Sequence, residues 1–425
     1  MKKNQEIKPF FRVVPPAEAI AAIGQIPAVG SESIPVERAS GRVLSERLLV
    51  PGDLPTFDRA HMDGYAVRAR DTFGASDSLP AYLKLSGAVE MGKAPTESLP
   101  RGCAMRIATG GMLPDGADAV VMIEYTEEVA GGQVEVSRSV SPWEHIIRIG
   151  EDIAAGSEIL PAARRLRPHD LGALTGVGIL EVKVFRRPRL ALIGTGDEIV
   201  DPRTEPAPGQ VRNINQISLR AMAEAAGAEV LDLGICRDDP EAFATVLAHA
   251  LAEADAVFVS GGSSVGVKDM TLDVIAEVPE TEVLFHGISV APGKPTILAR
   301  TGSGAGQKAI MGLPGHPVSA LVIFAVFGIP LLRILSGEAP SVAFAPQSRV
   351  RATLGRNIDS APGREDYVRV RIIQNSDGAI AEPLPGKSAA IFSLVYADGY
   401  VVVDLHREGL EAGSEVDVIL FAGGI

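Results

Sequence analysis

Positive charge is scarce in this chain. Its 425 residues carry 40 lysines and arginines against 53 aspartates and glutamates, a formal net charge of −13. That balance speaks against a general surface for nucleic acid or for anionic membrane, so any anionic ligand must be held by local donors. Cysteine is rarer still, with Cys103 and Cys236 the only two. Two cysteines exclude a disulfide-stapled secreted framework and fit a reducing compartment. Neither stands in a redox or metal-ligating spacing, and both read as small buried hydrophobes. No uninterrupted run of 18 apolar residues occurs, and the amino-terminal MKKNQEIKPF has two lysines but no apolar core. The sequence therefore predicts neither a membrane span nor a signal peptide, and a cytoplasmic location. No low-complexity run argues for disorder.

What is present is globular: 46% of residues are hydrophobic and 22% charged. The length calls for two to four domains. The chain is organised around 256–269, AVFVSGGSSVGVKD. Ala256 to Ser260 read as a buried strand and DMTLDVIAEV as a helix, so the glycines fall at a strand-to-helix turn. Gly261, Gly262 and Gly266 can take positive φ, and Ser263 and Ser264 can donate to an anion. A carboxylate there, Asp269, repels phosphate unless a divalent cation intervenes, which suggests a metal-assisted site. A plain tight turn is the alternative.

Along the chain, VVPPAEAIAAIGQI opens a helix at Pro15 and Pro16, and ERASGRVLSERLLV reads as a short helix turning at Gly41 into a strand. From 52 to 141 short alternating segments (AYLKLSGAV, CAMRIAT, ADAVVMIEYTEEVA, QVEVSRSV) predict a small β domain. Two polar loops interrupt it. In the first, Asp58, Arg59, His61 and Asp63 precede Gly64; Asp63 either makes a turn into a strand or accepts a hydrogen bond from a ligand. In the second, Thr109 precedes Gly110 and Gly111, a plain turn or a backbone anion nest. Farther on, Pro168 with His169 and Asp170 starts a helix, and the arginines at 164, 165, 167, 186, 187 and 189 read as solvated surface.

From 189 to about 336 strands and helices alternate, which argues a parallel α/β sheet with ligands at the carboxyl ends of its strands. Three glycine loops lie at such ends: GTGDE (194–198), GGSSVGVKD (261–269) and GLPGHPVS (312–319). They carry Glu198, Asp269, His316 and Ser319 to one edge. Beyond Pro340 short alternating strands predict a small β barrel.

These motifs, FDRAHMDGYAVR, RIATGGMLPDGADAVVM, GEDI, GTGDE, RDDP, SGGSSVGVKD, PGKP and LPGHPVSA, resemble the molybdopterin molybdenumtransferase family, related to gephyrin's carboxyl-terminal region. The resemblance implies a multidomain α/β plus β architecture. An elongated N-terminal domain is built from 1–51 and 142–183, and a small β domain of 52–141 is inserted in it. A three-layer α/β domain like the molybdopterin adenylyltransferase module follows over 184–338, then a C-terminal β barrel over 339–425. It implies a homodimer whose cleft draws on both subunits. It also implies Mg²⁺ as cofactor, adenylylated molybdopterin and molybdate as substrates, and AMP release. Molybdopterin adenylyltransferase and molybdoenzyme-maturation proteins are implied as partners; nucleic acid and membrane are not.

Position by position, the resemblance places Asp63 and Thr109 in the inserted domain and Asp152 in GEDI. Glu198, Asp238 and Asp269 become the acidic set and metal ligands, and Lys294 the basic position of PGKP. Gly194, Thr195 and Gly196 join Gly261, Gly262, Ser263, Ser264 and Gly266 as the phosphate-binding backbone. Pro314, Gly315, Pro317 and Ser319 form the proline loop, and Arg364 with Ser388 to Ser393 lines the molybdate pocket. The chain departs from the pattern at Gly287 and Ala291, where many members carry a base, at His316 in place of the commoner asparagine, and at Arg148, alone where several arginines often stand. His286, His316 or a barrel arginine would then supply the missing charge. Tungstate in place of molybdate, a non-catalytic carrier or scaffold, and adenylyltransferase activity are the competing readings.

Overall fold

The computed structural model describes residues 12–261, 270–346, 348–376 and 378–421. Gly262, Ser263, Ser264, Gly266 and Asp269 lie outside the described residues.

Helix Pro16–Ile23 starts on a proline, whose missing N–H costs nothing in a first turn, and buries Ala19 and Ile23. The short helix expected after it is a single 3₁₀ turn, Val36–Arg38. Strand Ser31–Pro35 runs antiparallel to Glu181–Phe185, and Leu48–Leu49 to Glu158–Leu160. Segments from either side of the 52–141 stretch thus share backbone hydrogen bonds over a common core of Leu44, Leu160, Leu166, Leu174 and Val182.

Arg164, Arg165, Arg167 and Arg186, all expected to be solvated, carry ion pairs, while Arg187 is exposed as expected. Arg164 and Arg167 reach Asp170, Arg165 reaches Glu338, and Arg186 grips Asp255. Each pairing joins an element end to a neighbour, which pattern alone does not reveal.

The stretch between the two segments holds a six-stranded sheet in the order Ala119–Met122, Gly64–Val67, Cys103–Ile107, Ala81–Ala88, Gln133–Val136, Thr126–Val129. Gly64 is required there: a Cβ on it would lie 1.9 Å from the carbonyl oxygen of Val121.

A second six-stranded sheet follows the order Glu229–Cys236, Arg189–Thr195, Ala256–Ser260, Lys308–Leu313, Ile297–Thr301, Thr281–His286. Its first four strands are parallel, but Ile297–Thr301 runs antiparallel to both its neighbours, so the sheet is mixed and not wholly parallel. Ile297–Thr301 and Lys308–Leu313 are joined by a short turn that leaves no room for a crossover helix. Alternation along the strands sends Leu190, Leu192 and Phe258 to one face, under Asn215–Ala225 and the helix that begins at Pro317. Ala191, Ile193, Val257 and Val259 face the other way, under Pro240–Glu253 and Met270–Glu277. Three layers result. Asp239 caps Pro240–Glu253 by accepting the Ala242 N–H at 2.9 Å.

The helix Pro317–Leu335 is long and apolar enough to cross a membrane, with a mean hydropathy of 2.4, which a search for uninterrupted runs misses because Ser319, Pro330 and Arg333 break them. It is a core helix: 83% of its apolar window is buried, and Phe324 meets Phe258 edge to face at 5.3 Å. Arg333 is buried and donates to Glu338 at 2.7 Å.

The last unit is a closed barrel. Glu365–Asn375 pairs with Gly378–Pro383 on one side and Gly399–Val403 on the other, and Arg349–Leu354 and Glu415–Leu420 complete the ring. Val290–Ala291, from the α/β part of the chain, pairs in parallel with Glu365 and Asp366, so the wall of one unit continues into the other.

Candidate active-site cavity

A cavity of about 1290 Å³ opens where three parallel strands end. Gly194, Thr195 and Glu198 line it from the first strand end, Ser260 and Gly261 from the second, and Pro314, Gly315, His316, Pro317 and Ser319 from the third. Lys294 comes from the PGKP turn, and Arg364 and Ser388 come from the barrel. Strand ends converge here because the parallel strands all point their carbonyl ends the same way.

The backbone is closely packed at this edge. Gly261 has φ +121°, and a Cβ on it would lie 2.2 Å from the carbonyl oxygen of Thr195. Only glycine allows the two loops to approach so closely. Asn215 ties the loops together: its Nδ2 donates to Ser260 Oγ and to the Gly315 carbonyl, both at 2.8 Å. A carbonyl can only accept, so this contact decides which way the amide points. Among the described residues, that leaves Asn215 Oδ1, like Thr195 Oγ1, buried without a hydrogen-bond partner.

The barrel side is fixed as firmly. Arg369 is buried, its guanidinium pK lowered by desolvation, and it donates to the Gly386 carbonyl at 3.0 Å. That contact holds the loop that carries Ser388. Ser388 Oγ lies 2.9 Å from His316 Nδ1, and its carbonyl accepts the Val318 N–H at 3.0 Å. Arg364 is paired with Asp366 at 2.8 Å, and Arg212, which also lines the cavity, with Glu205 at 2.6 Å.

Other residues singled out by the sequence stand apart from this wall. Asp238 is near it: its backbone N–H donates to Asp197 Oδ1 at 3.3 Å. Its carboxyl is pushed up by partial burial, then by the charges of Asp197 and Glu198. Gly196 is buried beside Glu198, and Ser393 Oγ donates to the Ala390 carbonyl at 2.7 Å. Asp63 and Thr109 form their own exposed pair, with Thr109 N–H and Oγ1 donating to Asp63 Oδ1 at 2.7 and 2.9 Å. Those bonds hold the Asp63 carboxyl below its usual range. Asp152 is exposed, in the turn that closes on the Leu54 carbonyl. Among the described residues no group of three or more His, Cys, Asp and Glu side chains is gathered to hold a metal ion.

Three family models cover the chain: "MoeA N-terminal region (domain I and II)" over residues 14–178, "Probable molybdopterin binding domain" over 191–334, and "MoeA C-terminal region (domain IV)" over 351–421. A curated relative from Haemophilus influenzae, named molybdopterin molybdenumtransferase, is 33% identical over 91% of this chain and 93% of its own length. This chain belongs to the molybdopterin molybdenumtransferase family. A second relative of that name, from Staphylococcus aureus, is 31% identical over 96% of this chain and 95% of its own. Two solved molybdopterin biosynthesis MoeA proteins from Pyrococcus horikoshii superpose with a TM-score of 0.81 each, at 37% and 30% identity, and cover 97% and 96% of this chain and 100% of theirs.

Within this molybdopterin molybdenumtransferase fold, sequence reasoning missed Asn215, Ser260 and Arg369, although Asn215 and Ser260 touch the cavity and Arg369 fixes its barrel loop. The run VRNINQ ahead of a helix was the available signal for Asn215. Arg369 gave none, because an arginine on an alternating strand reads as surface.

Proposed function

We propose that this chain is a molybdopterin molybdenumtransferase that joins molybdate to adenylylated molybdopterin with release of AMP. The observation that carries the reading is the convergence of three strand-end loops, the PGKP turn and two barrel residues on one cavity, in a chain whose relatives bear that name.

In this reading the backbone of Gly194, Gly261 and Gly315 lies against the phosphates, which the absence of side chains permits. Asn215 holds the loops in place, and its unpartnered Oδ1 accepts from a ligand N–H. Lys294 and the barrel residues Arg364 and Ser388 meet the tetrahedral dianion. Water attack on a phosphoanhydride asks for positioned donors more than for a protein nucleophile. No protein thiol is needed, because the sulfurs that receive the metal belong to the pterin.

Mg²⁺ fits the donor set: Glu198 and Asp238 offer hard oxygens, and the raised carboxyl of Asp238 marks crowded negative charge that a divalent cation would relieve. Asp269 would be the third ligand. When bound, Mg²⁺ supplies charge neutralisation at the phosphoanhydride. A homodimer belongs to the same proposal. It would explain why Asp63, Thr109 and Asp152 stand apart from the cavity, since one subunit would bring them to the cavity of the other. Sedimentation at twice the chain mass is expected.

The test is AMP release by the purified protein from adenylylated molybdopterin with Mg²⁺, with molybdate and tungstate titrated in parallel. Release stimulated by either anion supports the transferase and ranks the two metals. Tight pterin binding without release would replace it with a carrier or scaffold.

A further inference from the structure

A molybdate dianion entering this cavity meets cations already committed to carboxylates. Arg364 is held by Asp366 and Arg212 by Glu205. Glu198 adds negative charge to the same cavity, and Lys294 lines it as well. His316 differs from all of these. It is exposed, stands immediately before helix Pro317–Ile323, and reaches Ser388 Oγ on the barrel at 2.9 Å. The Val318 N–H to the Ser388 carbonyl, at 3.0 Å, fixes the two segments to each other. The contact therefore spans from the α/β unit to the barrel at the cavity wall.

Counting protons on this pair shows what it can offer. A neutral imidazole has one N–H and one bare nitrogen. If the Ser388 hydroxyl donates to Nδ1, the ring proton sits on Nε2. If Nδ1–H donates to the hydroxyl oxygen, the hydroxyl proton stays free. Either way the neutral pair has one free donor. A second ring proton gives it two donors and a positive charge, which suits a tetrahedral dianion far better. Glu198, Arg212, Lys294 and Arg364 share the cavity with His316, and Lys387 adjoins Ser388. Carboxylate, ammonium and guanidinium groups keep their charge across neutral pH, whereas imidazole does not.

We propose that His316, held by Ser388, is an oxyanion-binding residue that takes up a proton when molybdate enters the cavity, so that molybdate affinity falls as pH rises through neutrality. The inference rests on the transferase reading of the cavity and names the group that supplies its responsive charge.

Calorimetric titration with sodium molybdate, in two buffers of different ionisation enthalpy, counts the protons taken up. Molybdate itself stays a dianion over the range used. The wild-type protein should take up a substantial fraction of a proton near neutral pH and lose affinity several-fold between about pH 6 and about pH 8. His316→Asn should abolish the uptake and flatten the pH profile, with AMP binding retained as the sign of a folded cavity. Ser388→Ala should weaken molybdate binding and keep the uptake. Uptake that persists in His316→Asn, or wild-type affinity independent of pH, would overturn the assignment. AMP release measured alongside separates the two readings. Release with a pH-independent molybdate requirement removes only the role of His316; absent release with His316-dependent uptake removes only the transferase.

Discussion

Asp63, Asp170 and Asp238 are chemically identical side chains whose surroundings move them in different directions. Burial works against the charged form of Asp170, but bonds from Arg167 and Arg164 outweigh it and bring the carboxyl from the ordinary 3.8 down to about 2. A lowered carboxyl contributes stability that is complete above its unfolded pK and disappears as pH falls through the folded one. Asp170→Asn should therefore lower Tm at neutral pH, and the gap to wild type should close between about pH 4 and about pH 2 in thermal scans. Asp238 has the opposite sign, raised by partial burial and by Asp197 and Glu198. Asp238→Asn should raise the Tm of the metal-free protein by a degree or so at neutral pH, an advantage that fades in acid, while Mg²⁺-stimulated AMP release is lost. A Tm that falls would show that Asp238 is a structural acceptor and not a crowded charge. Of these three, the sequence singled out Asp63 and Asp238 as site residues, but their environments depend on Thr109 and Asp197, which only folding brings near.

Element by element, local pattern and packing agree well. The helix Pro240–Glu253 and the strand Ala256–Ser260 follow directly from apolar spacing, an Asp cap and a β-branched run. The reversed direction of Ile297–Thr301 in the central sheet does not, since apolar strands look alike in either direction. Phe258 sits at the crossing of sheet and core helix, against Phe324. Phe258→Ala should cost about 3–5 kcal/mol, read as a lower denaturant midpoint, because the surrounding core cannot collapse into the space. Gly64 carries the inserted sheet past Val121 with no room for a side chain. Gly64→Ala should prevent that sheet from forming or cost about 3 kcal/mol, seen as protease sensitivity confined to the 52–141 stretch.

At the scale of the whole molecule, Glu338 joins separate parts of the chain. Its side chain is 1% exposed between Arg165 and Arg333. Removing only the acidic partner leaves the half-buried Arg165 and the buried Arg333 uncompensated. Glu338→Gln should cost about 3 kcal/mol in chemical denaturation, and unchanged stability would mean that the pairs merely break even with water. The cavity is also a property of the whole molecule, since its barrel wall is joined through Val290–Ala291 and the contact of Ser388 with His316.

By itself the sequence determined the elements, the three glycine loops at strand ends and the family, because apolar periodicity, turn chemistry and motif spacing are local properties. It also marked out several residues that line the cavity, among them Glu198, Lys294 and Arg364. Tertiary structure alone decided which carboxylate meets which arginine, that the sheet is mixed, that the most apolar helix is a core helix, and that His316 meets Ser388. Those facts rest on contacts between residues far apart in the chain, such as His316 with Ser388 and Arg165 with Glu338, and their energies exist only once the backbone has closed.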